Sequence, residues 1–561
     1  MHLCGLPDDV LRLILEGASA KGDVLATRLK ANLPLLAVCR ALRRAALPVV
    51  YSGVFFQHGR PPSKSIVSTV CGVDSGDDDD GDFGAYANAL EPESAAVRSN
   101  LDLVVSADCA HVVRRVDIAV HYVTEPFYGL GGIIRMMRTA AERWGWVRDL
   151  VVVLAAKYDM ADELSANLDL YNVGIDRVAA ALEAMMPGVR RLRLGEAGAE
   201  YVNAEFCGRL AGLYSDRLAC IDARCPLAVP PGPAFGQLAR LSVRHGAMSE
   251  SLLSRVDPAA IVKLRLPHWP PHGAWGAPGA EGGGGSSPRT IEFSSLRELC
   301  VRSTSCRMLD GPGPQHSDRG PWVLRLPSLQ KMTVDCASPG SCPLLECAVL
   351  PTHMDKLSVT AHAPALLRMQ DMPLPAARHI KIGVLGDDAS ALSAANRILK
   401  RAPEGAEKIK LGVCSRRLPA VPSTISCTRL TKLAVGAGMR VDELLELLQK
   451  LPDLVGLCLD SLLLGDNGIQ ADISVPDPEG AALLEPLNTR VQSLHIDIHC
   501  CEESQKDVLV AVAKYLLLRI PTLASFVAWQ VPGKPMAEFI RAYSGRYPHL
   551  AGIRLQVSTF D

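Results

Sequence analysis

One pattern recurs in MDKLSV from Met354, ARHIKI from Ala377, AEKIKL from Ala406 and LTKLAV from Leu430. In each segment the first, fourth and sixth positions are apolar, whereas the other positions vary. Because side chains alternate along a β-strand, the fourth and sixth positions share one face and the third and fifth share the other. Each segment therefore predicts a short strand with one apolar and one polar face.

The same pattern occurs sixteen times between Val113 and Leu550, at a mean spacing of about 29 residues. The copies begin at Val113, Val147, Val189, Leu218, Leu238, Ile261, Leu296, Leu329, Met354, Ala377, Ala406, Leu430, Leu454, Val491, Leu523 and Leu550. A strand this short cannot bury an apolar face alone, so the units must stack on one another. This regularity predicts a repeat protein with parallel strands.

The stretches between copies have the apolar spacing of amphipathic helices, as in residues 174–186, 441–450, 506–520 and 536–546. In five copies a proline stands two residues before the first apolar position: Pro187, Pro327, Pro452, Pro521 and Pro548. Proline in a helix interior loses a hydrogen bond and clashes, so a proline here ends the preceding helix. The repeating unit is thus a helix, a stop and a strand, which predicts an α/β fold.

Composition excludes several classes of protein. The 561 residues have a formal net charge of -1, so whole-chain charge does not indicate a nucleic-acid binder. We find no secretory signal and no window of about 18 uncharged apolar residues, so no membrane contact is expected. The 17 cysteines include no paired C-x-x-C motif, which argues against zinc and for reduced thiols. We expect a cytoplasmic and/or nuclear protein.

Three stretches have the composition of disordered segments: the acidic residues 71–100, the Gly-rich residues 270–290 and the Pro-rich residues 303–320. Such runs bury too little apolar area to offset chain entropy. We therefore divide the chain into a helical module at 1–60, a linker at 61–108, and a repeat region at 109–561 with two insertions.

The N-terminal residues have two apolar stripes. Leu6-Pro7 followed by two aspartates is typical of a helix start. The apolar positions of the module are Leu6, Pro7, Val10, Leu11, Ile14 and Leu15, then Leu35, Leu36, Val38, Cys39 and Leu42. Arg40, Arg43 and Arg44 add a basic stretch, and Tyr51 is an aromatic exit.

This Leu-Pro start, the Val-Cys-Arg and the aromatic exit resemble an F-box. Followed by the repeats, they make the whole chain similar to an F-box/leucine-rich-repeat protein of the irregular kind common in fungi. The stretch between Leu15 and Leu33 is longer than usual, and Leu42 replaces the customary aromatic residue. The Asn or Cys that usually follows each repeat strand is also mostly missing.

The resemblance implies an irregular leucine-rich-repeat solenoid, a horseshoe with parallel strands on its concave face. It implies an adaptor of a cullin-RING (SCF-type) ubiquitin ligase, with the F-box bound to the Skp-family linker and the repeats bound to a protein substrate. The alternative is that the N-terminal residues only cap the first repeat, as solenoids require. The protein would then be an interaction scaffold without a ligase.

Basic residues outnumber acidic ones at the polar strand positions. The bases are Arg115, Arg191, Arg193, Arg224, Arg240, Arg244, Lys263, Arg265, Arg302, Lys331, Lys356, Lys381, Lys408, Lys410, Lys432 and Arg554, and the acids are Asp117, Asp149, Asp222, Glu298, Asp335, Asp460 and Asp497. Solubility alone would be served equally by acids, so this bias favours an acidic or phosphorylated partner. The substrate-binding candidates are Arg191, Arg193, Arg224, Arg240, Arg244, Lys263, Arg265 and Arg302.

Sequence motifs of catalysis are missing. There is no G-x-x-x-x-G-K-[ST], no G-x-S-x-G and no H-E-x-x-H, so no enzyme and no cofactor is expected. His495, Asp497 and His499 alternate on one predicted strand face. Strand neighbours two apart are about 7 Å from each other, too far to share one metal ion unaided. A polar strand face is the preferred interpretation.

Overall fold

The computed structural model of the protein describes the majority of the chain. The described residues are 51–58, 97–106, 108–121, 126–141, 144–155, 168–196, 202–225, 227–244, 250–269, 275, 289–303, 322–336, 343–369, 375–385, 393–394, 397–398, 405–413, 429–463, 473, 475, 484–496 and 506–558. The chain divides into two compact units, Met1–Gly284 and Gly285–Asp561. The boundary lies within the Gly282–Gly285 run that the sequence placed in an insertion.

The first unit contains a mostly parallel sheet. Its described strands are β1 (Gly53–His58), β2 (Arg98–Ser99), β3 (Arg115–His121), β4 (Asp149–Ala155), β5 (Arg191–Glu196), β6 (Cys220–Ala223), β7 (Arg240–Val243) and β8 (Lys263–Leu266). From β3 to β8 each strand pairs in parallel with the next strand of the chain. β1 pairs in parallel with β3, and β2 is antiparallel to β1.

Helices connect these strands. They are α1 (Leu101–Ser106), α2 (Pro126–Ala140), α3 (Leu168–Met185), α4 (Val202–Leu213) and α5 (Glu250–Ser254). Neighbouring helices pack side by side, α2 on α3 and α3 on α4, while α2 contacts β3 and α4 contacts β5. The order of strand, helix and parallel strand repeats along the unit, as the sequence predicted.

The apolar strand positions of the first unit form its core. The fourth and sixth positions of each copy are all at most 1% exposed: Val116, Ile118, Leu150, Val152, Leu192, Leu194, Ile221, Ala223, Leu241, Val243, Leu264 and Leu266. Burying an aliphatic side chain of this size contributes about 1.5–3 kcal/mol. The predicted alternation of inward and outward residues is confirmed here.

The second unit has a larger parallel sheet. Its described strands are β10 (Glu298–Ser303), β12 (Lys331–Cys336), β14 (His353–Ala361), β15 (Ala376–Val384), β16 (Lys408–Val413), β17 (Lys432–Arg440), β18 (Gly456–Leu463), β19 (Ser493–Ile496), β20 (Ser525–Pro532) and β21 (Arg554–Ser558). They pair in parallel in this order. A separate parallel sheet joins β9 (Arg289–Glu292), β11 (Trp322–Arg325) and β13 (Ala348–Val349).

The helices of the second unit whose bounds the structure describes are α6 (Pro343–Cys347), α7 (Ala363–Met369), α8 (Val441–Lys450), α9 (Lys506–Arg519) and α10 (Gly533–Tyr543). Prolines follow α8 and α9 at Pro452 and Pro521, as predicted. α8 buries Val441, Leu444 and Leu447 along one stripe and contacts β17.

Asn488 ties the end of α8 to a later strand. Its buried side-chain amide donates to the carbonyls of Leu448 (3.0 Å) and Leu451 (2.8 Å). Its carbonyl oxygen accepts from the backbone N–H groups of Arg490 (2.8 Å) and Val491 (3.1 Å). One asparagine thus satisfies polar groups at a helix end and at the entry to β19.

Every one of the sixteen predicted segments forms a strand, and three details differ from the sequence prediction. Residues 53–58, assigned to the N-terminal module, form β1 of the sheet. Two short elements, β2 and α1, lie within the predicted linker 61–108. In the last copy the fifth position, Arg554, pairs with Ser525, the third position of the copy before it. This shift of two residues is an even number, so the same side chains stay on the outward face.

Candidate binding faces

The polar face of the first unit places the predicted basic residues next to one another. Along one row, successive strands contribute Arg115, Asp149, Arg191, Cys220, Arg240 and Lys263. The next row contributes Asp117, Val151, Arg193, Asp222, Ser242 and Arg265. We call the basic residues of these rows, with Arg224 and Arg244 at the strand ends, the arginine face.

Acidic side chains lie next to some of the arginines on this face. Arg115 donates to both carboxylate oxygens of Asp117, at 2.6 Å and 2.9 Å. Arg191 lies 3.6 Å from Asp149. The guanidinium of Arg244 is 3.7 Å from the carboxylate of Asp222 on the neighbouring strand. Part of the positive charge is therefore neutralised within the sheet.

The pKa of Asp117 reports this environment. Burial raises the pKa of its carboxyl group, whereas the hydrogen bond and charge of Arg115 lower it. Arg193 also lowers it, and Asp149 raises it. Burial dominates, because the carboxylate loses more hydration than its neighbours replace.

Cys220 lies at the centre of the arginine face. Burial raises the pKa of its thiol, and the charge of Asp222 raises it further. Arg193, Arg240 and Arg191 act in the opposite direction. Three arginines from the two neighbouring strands, Arg191 and Arg193 of β5 and Arg240 of β7, thus act on one position between them.

The polar face of the second unit has a different character. Lys331 of β12 is directly opposite Lys356 of β14, and Lys408 of β16 is directly opposite Lys432 of β17. In the next row Lys381 of β15 faces Lys410 of β16, and His379 lies between Lys356 and Lys408. We call Lys356, Lys381, Lys408, Lys410 and Lys432 the lysine face.

The third and fifth positions of the copies on β14 to β17 contain no acid; the exposed Asp355 of β14 directly precedes Lys356 at the second position of its copy. Among the described residues, no carboxylate lies within ion-pair distance of a lysine of this face; the adjacent ion pairs join Lys331 to Glu298 and Arg378 to Glu407. Like charges directly opposite one another on adjacent strands destabilise a sheet. The lysine face therefore costs folding free energy that an alternating arrangement would avoid.

Small residues form the third row beside the lysines. Thr360 pairs with Gly383, and Gly383 pairs with Gly412. A Cβ atom added at Gly412 would meet only the Cα of Gly383, at 4.0 Å, whereas one at Gly383 would meet the Thr360 hydroxyl oxygen at 2.7 Å. The sheet surface is thus open above Gly412 and bordered by a hydroxyl group.

The candidates chosen from sequence are divided between the units. Seven of them lie on the arginine face, whereas Arg302 lies on β10 of the second unit, 3.5 Å from Asp335. The predicted linker-binding residues Leu6 to Leu42 lie outside the described residues. So do Asp497 and His499, while His495 is half-buried on β19.

The lysine face was not selected from sequence, although its members were counted among the outward bases. The available signal was the run of copies from Met354 to Leu430 whose polar positions contain lysine but no acid. What sequence did not provide was the register that sets lysine against lysine.

No protein-family model matches this chain, and no curated protein matches it. Within the described ranges, no group of three His, Cys, Asp or Glu side chains is placed to hold a metal ion. No helix in that part of the chain is long and apolar enough to cross a bilayer.

Proposed function

We propose that the protein is the substrate-recognition adaptor of a cullin-RING (SCF-type) ubiquitin ligase. The observation that supports binding is the repeated parallel sheet, at whose outward positions basic residues outnumber acidic ones by 16 to 7 in a chain of net charge -1. The association with a ligase rests on the F-box-like residues from Leu6 to Tyr51. In a leucine-rich-repeat solenoid the outward strand face is the concave, partner-binding face.

In this proposal the protein acts by proximity. The N-terminal apolar stripes bind the Skp-family linker, and the strand faces hold an acidic or phosphorylated protein substrate. Holding two reactants together replaces an encounter in solution by a reaction within one complex. The substrate's lysines then meet the ubiquitin-conjugating enzyme without any bond chemistry by the adaptor itself.

The second candidate is a binding scaffold with no ligase. The same basic faces support it, since charge complementarity steers acidic partners whatever the N-terminal module does. The two candidates differ only in whether residues 1–60 bind a Skp-family protein.

Co-purification of the full chain with a Skp-family protein tests this difference. Leu6→Asp with Ile14→Asp should abolish binding, because burying an unpaired carboxylate costs several kcal/mol, enough to remove a micromolar contact. Ala18→Asp with Ala20→Asp adds the same charge outside the apolar stripes and should leave binding intact. Equal recovery of the Skp-family protein with both double variants, or no recovery with the unmodified chain, would favour the scaffold without a ligase.

A further inference from the structure

Two lysine pairs on the lysine face are placed to share one anion each. Lys381 and Lys410 are directly opposite on β15 and β16, and Lys408 and Lys432 are directly opposite on β16 and β17. Adjacent strands are about 4.8 Å apart, so two flexible lysine side chains can bring both ammonium groups to one acceptor. Each pair has a charge of +2.

The charge of each pair favours a phosphate over a carboxylate. A phosphoserine has a charge of about -1.5 to -2 at neutral pH and three strong acceptor oxygens. One phosphate therefore neutralises one lysine pair, whereas a carboxylate leaves one lysine uncompensated. Lysine acts as a point charge, whereas arginine binds a carboxylate through two parallel hydrogen bonds of its planar guanidinium group.

The separation of the two pairs sets the spacing of the phosphates. The centre of one pair is displaced from the centre of the other by one strand across the sheet and by two residues along the strands. With about 4.8 Å between strands and about 3.3 Å per residue, they are about 8 Å apart. In an extended peptide, residues two positions apart are about 7 Å from each other and point to the same side.

The surface beside the pairs leaves room for such a ligand. Gly412 follows Lys410 by two residues on the same strand face, and the space above it is open. The hydroxyl group of Thr360 lies over Gly383, the neighbour of Gly412 on the adjacent strand. The polar positions of β14 to β17 contain no Phe, Tyr or Trp that would stack on a nucleic-acid base. These features favour a peptide over a nucleic acid.

We propose that the lysine face binds a protein segment phosphorylated at two residues that are two positions apart. Lys381 and Lys410 hold one phosphate, and Lys408 and Lys432 hold the other. The proposal rests on the proposed function in that it names the substrate class, and it places that substrate on the second unit. Phosphorylation then decides whether a protein is held by the adaptor.

Fluorescence anisotropy on the full chain tests the proposal. The probe is a short labelled peptide of Gly, Ala and Ser with phosphoserines at positions i and i+2. Comparison peptides have one phosphoserine, two glutamates, or two unmodified serines at those positions. We expect the doubly phosphorylated peptide to bind about tenfold more tightly than the diglutamate peptide, since its charge is about twice as large.

Matched variants locate the site. Lys381→Gln with Lys410→Gln should weaken binding of the doubly phosphorylated peptide about tenfold, because two charge-assisted contacts are lost. Lys450→Gln with Lys534→Gln removes the same charge from exposed helix positions and should change it by no more than about twofold. Gly412→Val places methyl groups in the open space and should also weaken binding, while circular dichroism confirms that each variant is folded.

Three results would overturn the proposal: equal affinity for the diglutamate peptide, unchanged affinity in the Lys381/Lys410 variant, or tighter binding of a single-stranded oligothymidylate. Loss of binding in Arg193→Gln with Arg240→Gln but not in the lysine variant would place the peptide on the arginine face instead. None of these results depends on the Skp-family linker, so failure of the ligase proposal is recognised separately.

Discussion

The arginine face and the lysine face have the same strand pattern but differ in how far acidic side chains neutralise their positive charge. On the first unit, one row begins with alternating signs: Arg115, Asp149 and Arg191 follow one another on successive strands. On the second unit, Lys408 faces Lys432 with no acid between them. The first arrangement neutralises part of its charge in ion pairs, whereas the second leaves its charge for a partner.

This difference teaches that a surplus of positive charge does not by itself identify a binding surface. Both faces have more bases than acids, yet ion pairs of 2.6 Å to 3.7 Å hold several arginines in place on the first unit. An uncompensated cluster costs folding free energy, and such a cost is more often retained where a ligand offsets it. The lysine face is therefore the stronger candidate for ligand binding.

The largest expected effect tests the common framework on which the comparison depends. Leu433, which follows Lys432 on β17, is only 2% exposed. Leu433→Asp should cost more than about 4 kcal/mol, since it buries an unpaired charge in the core. Circular dichroism melts should show loss of the neighbouring repeats as well, because stacked repeats stabilise one another.

Ala434→Asp is the matched control for this prediction. Ala434 is the next residue, on the outward face, where it pairs with Lys410. A carboxylate there meets a lysine and solvent, so the melting curve should stay close to that of the unmodified chain. Equal damage from both variants would show that β17 does not have distinct inward and outward faces.

Removing one charged side chain from each face should change the free energy of unfolding by a smaller amount, and with opposite sign on the two faces. Asp222→Asn removes the partner of Arg244 and should lower the free energy of unfolding by about 1 kcal/mol or less. Lys410→Gln removes a lysine that faces Lys381 and should raise the free energy of unfolding by about 0.2–0.5 kcal/mol.

Urea unfolding at low and high salt measures both changes. Each should shrink as salt rises, because ions screen exposed charges beyond about 8 Å at physiological ionic strength. A Lys410→Gln variant that is less stable than the unmodified chain at low salt would mean that the lysine face is not under repulsion. The contrast between the two faces would then be lost.

The sequence predicted the repeat framework because a period-two alternation leaves few alternatives. Leu192 and Leu194, or Ile380 and Ile382, are buried as their spacing requires. β1 was missed although Tyr51, Val54 and Phe56 follow the same spacing, because these residues were assigned to the exit of the N-terminal module.

The charge pattern of the sites could not be predicted in the same way. Copies are separated by loops of variable length, so which side chains face one another depends on the register of each strand pair. The pairing of Lys381 with Lys410, and of Asp222 with the strand of Arg244, follows only from that register. The small sheet of β9, β11 and β13 was also missed, since Arg289–Glu292 directly follows a Gly- and Ser-rich run.

The smallest expected effect concerns His379, which lies between the two halves of the lysine face. Its imidazole is opposite Lys356 on β14 and Lys408 on β16. Burial lowers the pKa of His379, and Lys408 lowers it further; Glu407 raises it, Lys356 lowers it and Asp355 raises it. The folded chain therefore binds a proton at this site less readily than the unfolded chain does.

The sign of the resulting pH dependence follows from that direction. Below the ordinary histidine pKa of about 6.5, the unfolded state takes up more protons at this position than the folded state. Stability contributed by neutral His379 is present above that pH and is lost as pH falls through the lowered pKa.

His379→Gln cannot be protonated, so its free energy of unfolding should fall less than that of the unmodified chain between neutral and mildly acidic pH. His353→Gln, a change to a histidine at the start of β14, is the control. Identical pH profiles for the unmodified chain and the His379 variant would show that neither burial nor the neighbouring lysines lower the pKa of this imidazole.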